Sequence, residues 1–317
     1  MRFRAVELAD FTVAAEIRSS DDGVASLAQK YAVDARPSHY RSIVAAALRQ
    51  LTARLPEALK GAPIMISGMA SSSIGWQDVP YARLPLALDG SQLAWCELEP
   101  VESDAGPHRV VLISGACTDT DVMRGEETEL VGLFTLPAAG RLAAGSLVIK
   151  PGTHSKHLRV ENGRLVGLQT FMSGELFDVL GKHSILKHSI GDPAAAGPLS
   201  AEMLADLRTG VRHARSIPMS AALFRVRTRQ LLDNLGGARN RAFLSGVLLG
   251  SELAYLLDDR FGGLQLVLCA TVPLEAHYRA ALDELGLTER LTVISAHEVE
   301  LLSSRAQAVL WRHLGGN

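Results

Sequence analysis

The sequence predicts an α/β protein of two domains, and three observations predict it. At 317 residues the chain exceeds what one ordinary core organises and is long enough for two. The order of elements, β-rich hairpins followed by helices and single apolar strands, is given twice. Two short apolar runs, Pro63–Ile66 and Val110–Ile113, both end in Ser-Gly, as buried strands do when they deliver a loop at their C-terminal ends. The division falls near residue 136, giving domains 1–135 and 136–317.

The elements follow in order. From Phe3 to Ile17, β-branched and aromatic residues alternate with charges and break at Ala9-Asp10, which predicts a hairpin. After Pro37, the apolar residues Tyr40, Ile43, Val44, Ala47, Leu48, Leu51 and Leu55 fall at steps of three and four and lay one stripe along a helix. A further helix is expected from about Met123 to Leu133. Extended runs at 146–149, 157–161 and 165–171 are punctuated by Pro151-Gly152 and by Asn162-Gly163, the latter a strong hairpin signal. Helical patterns follow near 174–187, 199–214, 218–234 and 239–258. Leu264–Cys269 and Leu291–Ile294 are expected as buried strands, separated by a helix after Pro273, and a last helix spans about 297–313.

Composition narrows the function classes. Apolar residues make up 47% and charged residues 21%, with a net charge of −2, so no electrostatic footprint for nucleic acid or an anionic membrane is present. The N-terminus lacks the apolar core of a signal peptide, and the longest apolar stretch, Val247–Leu257, is broken by Gly250, Ser251 and Glu252; a soluble, cytoplasmic protein is expected. Cys96, Cys117 and Cys269 are far apart and form no C-x-x-C, which argues against a disulfide framework or zinc. The P-loop and dinucleotide fingerprints are absent, as are H-E-x-x-H and G-x-S-x-G. The pairs His154/His157 and His183/His188 lack metal-ligand spacing, so the metal question stays open. Ser184-Ile185-Leu186-Lys187 matches S-x-x-K without its companion motifs and is taken as a helix face.

Two segments carry chemistry beyond what structure requires. Pro151-Gly152-Thr153-His154-Ser155-Lys156 is a glycine turn between strands; its backbone N–H groups suit phosphate oxygens, and an ordinary hairpin tip suits it equally. Met123-Arg124-Gly125-Glu126-Glu127-Thr128-Glu129 places carboxylates at a helix start, where they complement the positive end of the dipole or serve as a general base.

These segments, with Gly68–Trp76, Ser173-Gly174-Glu175-Leu176 and Phe243-Leu244-Ser245-Gly246, resemble in order and spacing the 2-dehydro-3-deoxygalactonokinase family of the sugar kinase/actin-like ATPase superfamily. The resemblance implies two RNase H-like domains with an interdomain cleft, the N-terminal one for the sugar acid and the C-terminal one for the nucleotide. It implies ATP and Mg²⁺, and phosphorylation of the terminal hydroxyl of 2-dehydro-3-deoxy-galactonate to the 6-phosphate. It places Glu126 or Glu127 as the base, and Gly152, Thr153, His154, Lys156, Arg4 and Ala270 around the nucleotide. Ser72, Ser73, Trp76 and Arg124 fall to the sugar acid, with the Arg124 fork on its carboxylate. A homodimer is compatible with it.

The family opens with a strand ending in Asp-x-Gly-[Ser/Thr]-[Thr/Ser]-Asn just before the arginine that Arg4 matches, and the reading frame upstream of Met1 is expected to encode it. At Leu268–Val272 the family has small, glycine-containing residues against the adenosine, where this chain has Leu-Cys-Ala-Thr-Val. The alternative is a catalytically weak homologue that binds a sugar acid or nucleotide as a sensor or partner.

Overall fold

The computed structural model describes residues 1–19, 23–191, 198–272 and 274–315. The chain is mixed α/β and divides into two compact units: Met1–Ala144 with Glu161–Leu168 and Glu300–Asn317, and Gly145–Val160 with Gln169–Val299. The division is thus not a single cut near residue 136, because the last helix returns to the first unit.

In the first unit, β1 (Arg2–Val6) and β2 (Val13–Arg18) form the expected antiparallel hairpin, pairing Phe3 with Ile17 and Arg4 with Glu16. Two helices follow, α1 (Val24–Lys30) and α2 (Arg36–Thr52). Pro37 in the first turn of α2 costs no hydrogen bond there, and Tyr40, Val44, Ala47, Leu48 and Leu51 form its buried stripe as the spacing requires. Next come β3 (Ile64–Ile66), β4 (Ala82–Arg83), β5 (Leu86–Ala87), β6 (Trp95–Ser103), β7 (Gly106–Ile113), β8 (Ala116–Cys117) and β9 (Val122–Met123), then α3 (Glu126–Leu133). β3 runs parallel to β7 and β6 antiparallel to it, giving the order β3-β7-β6; β4-β8-β9 form a second small sheet. Tyr40, Val44 and Leu48 of α2 meet Val110 and Leu112 of β7 in one apolar core.

β10 (Gly145–Lys150), β11 (Ser155–Glu161) and β12 (Arg164–Phe171) are the expected meander; β10 and β11 to Val160 belong to the second unit, the turn and β12 to Leu168 to the first. Asn162 and Gly163 both have positive φ, 49° and 72°, as a two-residue turn of this hand demands. Helices α4 (Ser173–His183), α5 (Ala201–Ser216), α6 (Met219–Asp233) and α7 (Gly237–Leu253) follow, then β13 (Gln265–Leu268), α8 (Leu274–Glu284) and β14 (Leu291–Val293); α9 (Ala296–His313) starts here and belongs to the first unit from Glu300 on. β14, β13 and β10 are parallel neighbours, with β11 and β12 beyond β10. Leu147, Ile149, Leu266 and Leu268 of this sheet pack with Leu207, Val211 and Leu249 of α5 and α7. A methyl on Gly246 would fall 1.9 Å from the Leu207 carbonyl oxygen, so the α5–α7 contact depends on its absence. The segment 184–187 does not continue α4; Ser184 accepts from the Leu186 N–H and caps a separate 3₁₀ turn, Ile185–His188. Among the described residues no helix is long and apolar enough to cross a membrane.

Candidate active site

Within the first unit, the glycines of the 68–76 and 122–128 segments bring them together. Gly68 and Gly125 have φ of 87° and 117°, which side chains resist. A Cβ on Gly125 would lie 3.3 Å from Gly68 Cα, so the turn after β3 and the start of α3 touch. Ser71 Oγ donates to the Ile113 carbonyl at 2.6 Å, tying the turn to the end of β7, and Ser72 Oγ donates to Met69 O at 2.7 Å. Ser73 alone of the three serines is exposed.

Arg124 is enclosed rather than presented. Its Nη1 donates to the Ser71 carbonyl and, at 2.9 Å, to Ser71 Oγ; both terminal nitrogens reach Val79 O, at 3.2 and 3.1 Å. The guanidinium lies 4.1 Å from the Tyr81 ring centroid, and its side chain is 3% exposed. These terminal donors brace the 71–79 loop, while Nε is buried without a hydrogen-bond partner among the described residues. Trp76 sits in the core. It is buried and stacked on Tyr40, centroids 5.8 Å apart, because a large indole gains more from the core than from a polar ligand.

The two glutamates differ in kind. Glu127 is 2% exposed; its Oε2 accepts from the Gly125 N–H at 2.7 Å and its Oε1 from Thr128 Oγ at 2.9 Å. Burial raises its pKa to about 7 against these hydrogen bonds, with the neighbouring Glu126 adding a smaller push upward. Glu126 is only half-buried and accepts from the Arg124 N–H at 3.2 Å. Sequence could not separate the pair; burial does.

Arg4 falls elsewhere in this unit. Its Nε donates to Glu16 Oε2 at 2.6 Å, and Nη1 reaches the Glu300 carbonyl and, at 3.3 Å, Ser304 Oγ. The guanidinium thus fastens β1 to β2 and α9.

Within the second unit, Gly152, Thr153 and His154 form an exposed loop between β10 and β11. The start of α4 backs it: the Glu175 N–H donates to Thr153 O at 2.9 Å. A Cβ on Gly174 would lie 2.3 Å from Gly152 O, so only glycine allows that approach. His154 Nε2 stands 2.6 Å from Glu175 Oε2. Lys156 is buried and donates through Nζ to His154 O at 2.9 Å, so the expected phosphate-binding lysine holds the loop from beneath. The side chain of Ala270 packs in the core beside Leu268 and Tyr278 and offers no ligand contact of its own. Sequence reasoning missed Glu252, His157 and Tyr278, buried side chains joined behind this loop; a Glu inside the apolar run of α7 was the available signal.

No group of three or more His, Cys, Asp or Glu among the described residues is arranged to hold a metal ion.

Comparison with known proteins identifies the family. The family model for 2-keto-3-deoxy-galactonokinase matches residues 1–302. A probable 2-dehydro-3-deoxygalactonokinase of Rhizobium meliloti is 37% identical over 256 residues, 78% of each chain. The 2-dehydro-3-deoxygalactonokinase of Escherichia coli is 32% identical over 230 residues, 71% of each. A crystal structure from Sinorhizobium meliloti, provisionally assigned the same activity, superposes with a TM-score of 0.76 at 31% identity, covering 98% of this chain and 92% of the other. With the match running across both units, the chain belongs to the 2-keto-3-deoxy-galactonokinase family of kinases.

Proposed function

We propose that the chain transfers the γ-phosphoryl group of Mg-ATP to the terminal hydroxyl of 2-dehydro-3-deoxy-galactonate, giving the 6-phosphate. Its two units are the RNase H-like domains of the sugar kinase/actin-like ATPase superfamily, and it acts in the cytoplasm. The observation that carries the assignment is Glu126: a half-buried carboxylate at the first turn of α3, against the Gly68–Ser73 turn, beside a glutamate whose own oxygens are occupied.

Each residue has a stated task. Glu126 takes the proton of the attacking hydroxyl. Ser73 and the 68–73 turn hold the sugar acid, with Ser72 and Arg124 shaping that turn from within. The N–H groups of Gly152, Thr153 and His154 receive phosphate oxygens, where fixed donors act without reorganising during the reaction. Positioning is most of the work in phosphoryl transfer, which explains why so many charged groups here brace loops rather than meet solvent.

The family names favour catalysis over the sensor alternative. The test couples ADP release from the purified chain to an optical signal, with 2-dehydro-3-deoxy-galactonate as acceptor. The wild type should turn over, and Glu126→Gln should lower kcat about 10²–10⁴-fold with little change in either KM. Turnover of Glu126→Gln within about tenfold of wild type removes the base assignment; absence of turnover in the wild type, with ATP or the sugar acid still raising Tm, establishes the sensor instead.

A further inference from the structure

The strongest feature outside the site just described is a buried polar cluster in the second unit. Glu252, in the last turn of α7, is 1% exposed and His157 on β11 is 2% exposed. Ser155 Oγ donates to Glu252 Oε1 at 2.7 Å, and His157 Nε2 lies 3.0 Å from the same oxygen. Tyr278 of α8 donates to both Glu252 oxygens, at 3.0 and 3.1 Å, and lies 3.2 Å from Ser155 Oγ. The hydroxyl of Ser173, the first residue of α4, favours the charged form of the same carboxylate. His157 Nδ1 has no hydrogen-bond partner among the described residues.

A carboxylate buried in an apolar helix is costly, so an arrangement that retains one needs a reason beyond packing. The partners supply it. Ser155 is the residue where the Gly152–His154 loop re-enters the sheet, and its hydroxyl also lies 3.4 Å from Lys150 O, where the loop leaves. Ser173 begins the helix whose Glu175 N–H holds Thr153 O. One carboxylate therefore reaches the loop's stem and its backing helix at once. We infer that Glu252 is a positioning residue for nucleotide binding, fixing the Gly152–His154 loop through Ser155 and Ser173. It touches neither substrate; His157 and Tyr278 hold its carboxylate in place. This rests on the proposal that the loop receives the phosphates of ATP.

The experiment measures both KM values, kcat and ATP affinity by calorimetry for Ser155→Ala, Ser173→Ala, their double variant and Glu252→Gln. The serine variants remove one oxygen each and keep the fold testable where the buried Glu252 change does not. A hydrogen bond to a charged group corresponds to about tenfold in an equilibrium constant. Each serine variant should raise KM and Kd for ATP by about that factor, leave KM for the sugar acid within about twofold, and leave kcat nearly unchanged. Glu252→Gln should raise the ATP values at least as much as either. Merely structural damage would lower Tm and the active fraction without separating the two KM values, and that outcome overturns the inference. Gly152→Val, whose added Cβ would meet nothing nearer than the His154 carbonyl oxygen at 4.0 Å and so fills only the space beside the loop, distinguishes its failure from that of the parent proposal. If Gly152→Val binds ATP like the wild type, the loop is not the phosphate site; if it loses ATP while all four positioning variants keep it, Glu252 has no such role.

Discussion

Replacing Glu127 by Gln tests whether burial governs the α3 start. The Gln carboxamide has the same shape: its oxygen accepts from Gly125 N–H, and its NH₂ donates to a rotated Thr128 hydroxyl. In the wild type the carboxyl moves from an ordinary 4.5 to about 7 on folding. Between those values the folded state holds a proton that the unfolded chain has released. The stabilisation is therefore complete below pH 4.5 and is lost as pH rises through 7, by about 3 kcal/mol. The Gln variant carries no such proton, so its advantage over wild type should grow by about that amount between pH 4.5 and pH 8. Urea unfolding followed by tryptophan fluorescence suits the question, because the three tryptophans, Trp76, Trp95 and Trp311, all belong to the first unit. Apart from the smaller coupling to Glu126, the other groups titrate alike in both proteins and cancel in the difference. If the gap in unfolding free energy is the same at both pH values, Glu127 is not protonated in the native state and the burial argument is wrong.

Three further outcomes follow from the same geometry. Gly174→Ala places a methyl against Gly152 O and should raise KM for ATP about tenfold or more while KM for the sugar acid holds, read by steady-state kinetics. Trp76→Ala empties a core position and should cost about 3–5 kcal/mol in urea unfolding, without the selective rise in KM for the sugar acid that a substrate-lining residue would give. Arg4→Met should leave KM for ATP unchanged within about twofold yet lower stability, since it leaves Glu16 with only Arg18 beside it.

What the sequence made legible was what local rules govern. The α2 stripe from Tyr40 to Leu51 and the Asn162-Gly163 turn stand where periodicity and turn chemistry put them. β6 was missed because Glu97, Glu99 and Glu102 interrupt its apolar residues and Pro100 sits at a shift of register. At the candidate site the segments were legible but the assignments within them were not. Arg124 finds acceptors 53 and 45 residues away, at Ser71 and Val79, and no local pattern shows its terminal nitrogens engaged by carbonyls. The same holds for Lys156, whose acceptor is only two residues away but whose burial is set by the sheet. Residue type identified groups fit for phosphate or carboxylate; packing decided which of them remain available.

The return of residues 300–317 to the first unit sets a timetable for biosynthesis. The Gly132 position fits flush against the Leu302 backbone, Gly90 against the Leu310 side chain, and Arg4 waits for Glu300 and Ser304. A ribosome that has delivered residues 1–144 has not yet made those partners. The second unit, interrupted only by the short 161–168 excursion, has all of its chain by Val299, before α9 is finished. The second unit's segments are therefore all synthesised before the first unit's last one, against the usual N-to-C order in which domains are completed.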